Sequence, residues 1–171
     1  LNGDLDVDGH TELDNVNIAG VTTFPNTGKV LIGTATEGHA NADDLTVATT
    51  GTTGITIRSG DTSNGNIYFS DATSGDGEYR GYVSYNHSDD SLKLGTGAAN
   101  RIIISGAGYV KIGTNVEGYA GAPNLTIADT GNCGVTIRSG ASNQGTIAFS
   151  DAESGAGEYD GFLQYLSLIH I

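Results

Sequence analysis

Apolar residues in this chain stand in short runs that alternate with polar residues, which is the pattern of half-buried β-strands. Runs of this kind occupy positions 30–32, 45–47, 54–60, 67–69, 78–87, 91–94 and 101–105. Glycine, asparagine and aspartate separate the runs, and no window shows the three- and four-residue apolar spacing of a helix. Strands that recur about every 8 to 12 residues predict an all-β fold.

Turn residues predict how some of these strands connect. The sequence Asn64-Gly65 is a strong hairpin signal, and it predicts a turn between a strand at 54–60 and a return strand at 67–69. The tyrosine-rich run at 78–87 is predicted to be the longest strand. Ser88, Asp89 and Asp90 are expected to turn it back into the strand at 91–94.

The sequence repeats itself at one offset of 80 positions. Gly-Ile-Thr-Ile-Arg-Ser-Gly at 54–60 returns as Gly-Val-Thr-Ile-Arg-Ser-Gly at 134–140, and residues 29–85 align with 109–165 without a gap. A fixed period indicates that the same supersecondary unit is formed again. We therefore expect tandem 80-residue β repeats. A short-strand stalk segment at 1–28 precedes β repeat 1 at 29–108 and a truncated β repeat 2 at 109–165.

The last six residues depart from the repeat. Residues 166–171 read Leu-Ser-Leu-Ile-His-Ile where the first repeat continues with a polar turn. The hexapeptide matches the translation of a transposon end that is used in sequencing libraries. We interpret residues 166–171 as a sequencing-adapter artefact.

The composition leaves little material for a core within one chain. Leu, Ile, Val and Phe make up roughly a fifth of the residues, and 27 glycines accompany them without any Trp or Met. Thin domains of this kind commonly complete their burial by association. We hypothesise that other copies of the chain supply the missing core.

The charge argues against two classes of partner. The formal net charge is -13 with only 7 Lys and Arg residues, whereas nucleic acid and anionic membranes are bound chiefly through basic residues. No run of eighteen apolar residues occurs, so no membrane insertion is expected. The acidic surface is interpreted as a source of solubility.

The sequence signals for catalytic and metal-binding residues are weak. No enzyme activity or cofactor is expected. Glu78 and Glu158 are equivalent positions of two repeats, whereas glycosidase carboxylates need unlike environments a few ångströms apart. Asp4, Asp6 and Asp8 resemble the start of an EF-hand calcium loop, but position twelve is not glutamate. Their alternation with Leu5 and Val7 favours a strand instead.

Aromatic residues near the end of each repeat are the best candidates for binding. Their rings and polar groups suit both sugar faces and protein interfaces. In a continuous strand Tyr79 and Tyr85 would share one face and Tyr82 the other, and packing between strands or chains is the favoured role. The candidate receptor or interchain contacts are Tyr79, Tyr82, Tyr85, Tyr159, Phe162 and Tyr165.

Residues 4–20 resemble the stalk segments of phage tail-fibre proteins. Residues 85–93 and 101–114 are similar to the module that often precedes an endosialidase-type intramolecular chaperone in such fibres. The resemblance implies a structural virion component, an elongated homotrimer of β-helix, β-prism or sandwich-like modules. It also implies contact with a host-surface glycan or protein. The chaperone's self-cleaving serine and lysine have no counterpart here, so that activity is not carried over.

Two other interpretations remain open from the residues. A bacterial surface adhesin or carbohydrate-binding repeat could use the same strands as a monomeric β-sandwich at the bacterial cell surface. A polysaccharide depolymerase would need an acidic pair that is not duplicated between repeats. The mass of the protein in solution distinguishes the adhesin from the fibre.

Overall fold

A computed structural model describes residues 19–20, 22–24, 28–159 and 161–166. The chain divides into two compact units after Thr56, and each unit is considered by itself. Apart from two short 3-10 helices, Gly75–Tyr79 and Ala156–Tyr159, the regular structure of the described residues is entirely β-strand. The all-β prediction is confirmed. Most of the predicted stalk at 1–28, and all of the final hexapeptide except Leu166, lie outside the described residues.

The first unit contains one pair of parallel strands, β1 (Val30–Ile32) and β2 (Leu45–Val47), at two positions where strands are predicted. Gly33 ends β1 with φ of +74°, and a Cβ there would meet the Ala48 carbonyl oxygen at 2.5 Å, so glycine is required. The Lys29 ammonium donates hydrogen bonds to the carboxylates of Glu37 and Asp43 in the loop between the strands, at 2.7 Å each. These carboxylates raise the pKa of Lys29 above its usual range.

The second unit contains a six-stranded sheet and a separate hairpin. The sheet order follows the chain from β3 to β8, and neighbours are antiparallel except for the parallel pair β7 and β8. The hairpin pairs β9 with β10 antiparallel. The strands are β3 (Asn64–Phe69), β4 (Gly81–Asn86), β5 (Ser91–Thr96), β6 (Ala99–Ile104), β7 (Val110–Ile112), β8 (Leu125–Ile127), β9 (Gln144–Phe149) and β10 (Gly161–Leu166).

Strand positions follow the sequence offset. The strands β7, β8, β9 and β10 begin at residues 110, 125, 144 and 161, each 80 positions after the first residues of β1, β2, β3 and β4. The pairing is also alike, since β1–β2 and β7–β8 are parallel while β3–β4 and β9–β10 are antiparallel.

The prediction of a hairpin turn at Asn64-Gly65 is wrong. Residues 52–60 form no strand, and Asn64 and Gly65 belong to β3, where they pair with Asn86 and Tyr85. The turn lies earlier, where the Ser63 N–H donates to the Gly60 carbonyl at 3.0 Å. The Asn-Gly preference is local, and it was overridden because β3 pairs with the later strand β4.

The structure also moves the boundaries of some predicted strands. Glu78 and Tyr79 lie in the first 3-10 helix, so the tyrosine-rich strand begins only at Gly81. The strands β5 and β6 are longer than predicted, because Gly97 and Ala98 form a two-residue turn with φ of +60° and +57°. Alanine rarely adopts positive φ, so the sequence Gly97-Ala98 did not signal this turn.

Candidate functional site

One face of the six-stranded sheet is covered with apolar side chains, and we call it the apolar face. The cross-strand register aligns a row through all six strands and a second row through five. The first row is Ile67, Val83, Leu94, Ile102, Ile112 and Ile127. The second row is Tyr85, Leu92, Ile104, Val110 and Leu125. Phe69 lies on the same face at the end of β3.

The apolar face is open to solvent in the single chain. Seven of its residues are exposed, including Phe69 at 63% and Leu125 at 57%. Among the described residues Ile103 is the one buried hydrophobic side chain, and it projects from the opposite face of the sheet. The described part of one chain therefore leaves much of the apolar face uncovered.

The β9–β10 hairpin repeats the exposed apolar side. Ile147 pairs with Leu163 as Ile67 pairs with Val83, and both hairpins form an apolar depression with an upstream isoleucine. The depressions measure about 240 and 370 Å³. The exposed apolar side thus recurs at the sequence offset.

The other side of the sheet is polar and more enclosed, and we call it the polar face. One row across it reads Asn66, Ser84, Lys93, Ile103, Lys111 and Thr126. Ser84, Ile103 and Lys111 are all buried, as are Ser91 and Gly95 on the same face. The usual placement of polar outside and apolar inside is therefore inverted in the isolated chain.

Three tyrosines form a cluster at one end of the polar face: Tyr68, Tyr79 and Tyr82. The rings of Tyr68 and Tyr79 lie 6.2 Å apart, and the rings of Tyr68 and Tyr82 meet edge to face at 6.5 Å. The Tyr82 ring covers Gly95, and its hydroxyl donates to Asn100 Oδ1 at 2.6 Å. We call these three residues the tyrosine cluster.

The structure brings Tyr79 and Tyr82 together and places Tyr85 on the apolar face. The expectation that Tyr79 and Tyr85 share a strand face is wrong, because the 3-10 helix interrupts the strand at Tyr79. Tyr68 was not among the candidates. The repeat alone could not identify it, whereas the register, which pairs Tyr68 with Tyr82, does so.

Hydrogen bonds and burial raise the pKa values of Tyr79, Tyr82 and Tyr85. Asp76 accepts a hydrogen bond from the Tyr79 hydroxyl at 3.1 Å and raises the pKa of Tyr79. Asp90 does the same for Tyr85 at 3.0 Å, while burial raises the pKa of Tyr82. Tyrosine is already neutral at physiological pH, and the upward shifts extend the pH range over which these three phenols remain hydrogen-bond donors.

The matching aromatic residues of the second repeat do not form a second cluster of this kind. Phe162 pairs with Ala148 where Tyr82 pairs with Tyr68, so the central ring is missing. Tyr165 pairs with Gly145 and is exposed, and Tyr159 ends the second 3-10 helix. The tyrosine cluster is therefore specific to the first repeat.

The described residues provide little else that suggests catalysis. No three His, Cys, Asp or Glu side chains within the described ranges are close enough to hold a metal ion. Glu78 and Glu158 are both exposed and lie in the two 3-10 helices. Asp4, Asp6 and Asp8, the possible calcium loop, lie outside the described residues.

Comparison of the chain with protein-family models and with curated proteins found no match. In the part of the chain that the structure describes, no helix combines the length and the apolar character that crossing a membrane requires.

Proposed function

We propose that the chain is a structural segment of a homotrimeric, elongated fibre of the phage tail-fibre type, located in the virion and contributing to attachment to a host surface. The observation that carries the proposal is the exposed apolar face. Its two rows contain no charged residue, so copies of the chain can cover it without burying an unpaired charge. The trimeric state and the virion location rest on the tail-fibre resemblance.

The tandem repeat extends this proposal along the chain. The apolar side recurs on the β9–β10 hairpin, so each 80-residue repeat would contribute a similar contact to the fibre. Parallel association of whole chains would align these contacts in register and lengthen the assembly without requiring a large core.

The exposed area of the apolar face sets the scale of the free energy that association could gain. If each large side chain presents about 200 Å² when fully exposed, the seven exposed members of the apolar face leave roughly 600 Å² open per chain. At about 25 cal/mol per Å², covering that area contributes roughly 15 kcal/mol. This upper estimate is of the same order as the cost of association, about 4–15 kcal/mol, so the apolar face supports the proposed assembly without fixing its affinity. The seven residues are Ile67, Phe69, Tyr85, Leu94, Ile104, Ile112 and Leu125.

Light scattering coupled to size exclusion tests the proposal directly. The expected mass is about 52 kDa, three times the chain mass of 17.4 kDa. Phe69→Glu, which places a charge on the apolar face, should dissociate the assembly. Tyr68→Glu is the matched control, since the adjacent residue is similarly exposed at 53% but projects from the polar face.

The outcomes separate the candidate functions. A folded monomer with the wild-type sequence would overturn the fibre and favour the monomeric adhesin or carbohydrate-binding repeat. A dimer would overturn only the trimeric symmetry. Equal effects of Phe69→Glu and Tyr68→Glu would show that the apolar face is not the interface, provided that circular dichroism shows both variants to be folded.

A further inference from the structure

Two adjoining depressions form a groove on the polar face. The larger measures about 450 Å³ and includes Lys93, Asn100 and Lys111 in its lining. The smaller, about 240 Å³, is lined by the tyrosine cluster and shares Lys93 and Asn100 with the larger. Together they fall within the size range of small-ligand sites, about 300–1,000 Å³. The groove lies on the side of the sheet opposite the apolar face, so covering that face leaves the groove open.

Two of the chain's 7 basic residues line this groove. Lys93 and Lys111 flank Ile103 in the cross-strand register, so they are two strand spacings, about 9.5 Å, apart. Lys111 is only 9% exposed, and its ammonium donates to the Asn115 carbonyl at 3.3 Å, which uses one of three N–H donors. Within the described residues neither lysine forms an ion pair as short as those of Lys29, but Lys93 is near enough to Asp89 to help lower the pKa of that carboxyl.

Two carboxylates also line the groove, Asp89 and Glu117. Asp89 is engaged by Ser91, whose hydroxyl and N–H donate to Asp89 Oδ1 at 2.6 and 3.1 Å. The remaining polar groups, including Asn100, offer both donors and acceptors, as hydroxyl-rich ligands require. The rings of Tyr68 and Tyr79 are exposed and give the groove planar apolar surfaces beside these polar groups.

We propose that this groove binds an acidic oligosaccharide. Its carboxylates pair with Lys93 and Lys111, and its sugar rings lie against the tyrosine cluster. The inference deepens the attachment role proposed above by naming a ligand class and a site. The groove is built within one chain, so its ligand can be tested separately from the oligomeric state.

Isothermal titration calorimetry with oligogalacturonate provides the test. A neutral glucose oligomer of equal length and a glutamate peptide of equal charge serve as comparison ligands. Oligogalacturonate is expected to bind best, with an affinity that falls as salt is added. Lys93→Gln should weaken its binding about tenfold, since a charge-assisted hydrogen bond is lost. Arg138→Gln removes the same charge from an exposed residue outside the groove and should leave binding unchanged.

Several results would overturn the proposal. These are an absence of oligogalacturonate binding, equal binding of the neutral oligomer, tighter binding of the glutamate peptide, or equal effects of Lys93→Gln and Arg138→Gln. The mass of each sample is measured alongside. Absence of binding by a wild-type trimer contradicts the groove alone, whereas a wild-type monomer that binds contradicts the fibre alone.

Discussion

Replacing Gly95 with alanine tests how closely the polar face is packed. Tyr82 is the cross-strand partner of Gly95, and a Cβ at position 95 would overlap three atoms of the Tyr82 ring. The overlap lies at the ring itself, so the whole ring has to move. Its displacement would break the hydrogen bond to Asn100 and the edge-to-face contact with Tyr68.

The expected size of the effect follows from these contacts. The lost hydrogen bond costs about 1 kcal/mol, and the lost ring contact about 0.5–1.5 kcal/mol. Alanine offsets part of this cost, because glycine within a strand is about 0.5–1 kcal/mol less favourable than alanine. With some strain from overpacking, Gly95→Ala should lower the free energy of unfolding by about 2 kcal/mol. With Tyr82 already changed to alanine, the same substitution should raise it by about 0.5 kcal/mol.

Urea denaturation of the four proteins in this double-mutant cycle measures the coupling. Because the proposed association would contribute to stability, all four proteins are compared at one chain concentration. Gly145→Ala serves as a control, since its Cβ would lie 3.5 Å from the nearest atom and should cause little change. The reasoning is refuted if Gly95→Ala has the same effect with and without the Tyr82 ring.

Two further predictions concern pH. Asparagine tolerates the φ of +51° at position 90, so Asp90→Asn should keep the turn. The substitution should lower the pKa of Tyr85 toward 10.0. The raised pKa contributes stability below pH 10.0 that is lost as pH rises through the folded value. Phenolate absorbance should therefore develop at lower pH in Asp90→Asn, and an unchanged titration would contradict this. The hydrogen bond from Ser91 holds the pKa of Asp89 below 3.8, so its stabilisation is present above that pH and lost as pH falls through the lower folded value. Ser91→Ala should be less stable than wild type at pH 7, and this difference should shrink as pH falls below 3.8; a difference that does not change with pH would exclude this role.

Local pattern was sufficient to predict the fold class and most strands. Alternation located β2 and β5, since each has an apolar side and a polar side within a few residues, whereas the apolar run before Gly33 located β1. Strand pairing was harder because it depends on distant residues. Ile55 and Ile57 alternate with polar residues as in a strand, yet residues 52–60 form no strand. Asn64-Gly65 is a turn signal in isolation and part of a strand in its sheet.

The sequence located the tyrosines but not their arrangement. A repeat comparison weights residues that recur, so it selected Tyr79, Tyr82 and Tyr85 and passed over Tyr68, whose partner at the offset is Ala148. The groove was missed for a related reason. Lys93 and Lys111 lie 18 positions apart, and only the pairing of β5, β6 and β7 places them on either side of Ile103.

The distribution of charge agrees with the two proposals, that one surface serves assembly and that another binds a ligand. With a net charge of -13, copies of the chain repel one another in most orientations. The two rows of the apolar face carry no charge, so contact there adds hydrophobic burial without bringing like charges together. Lys93 and Lys111 lie on the opposite side, where an acidic ligand gains from them locally although the whole chain repels it. The proposed association and the proposed ligand binding therefore use opposite faces of one sheet, and alternation of side chains along each strand separates these faces.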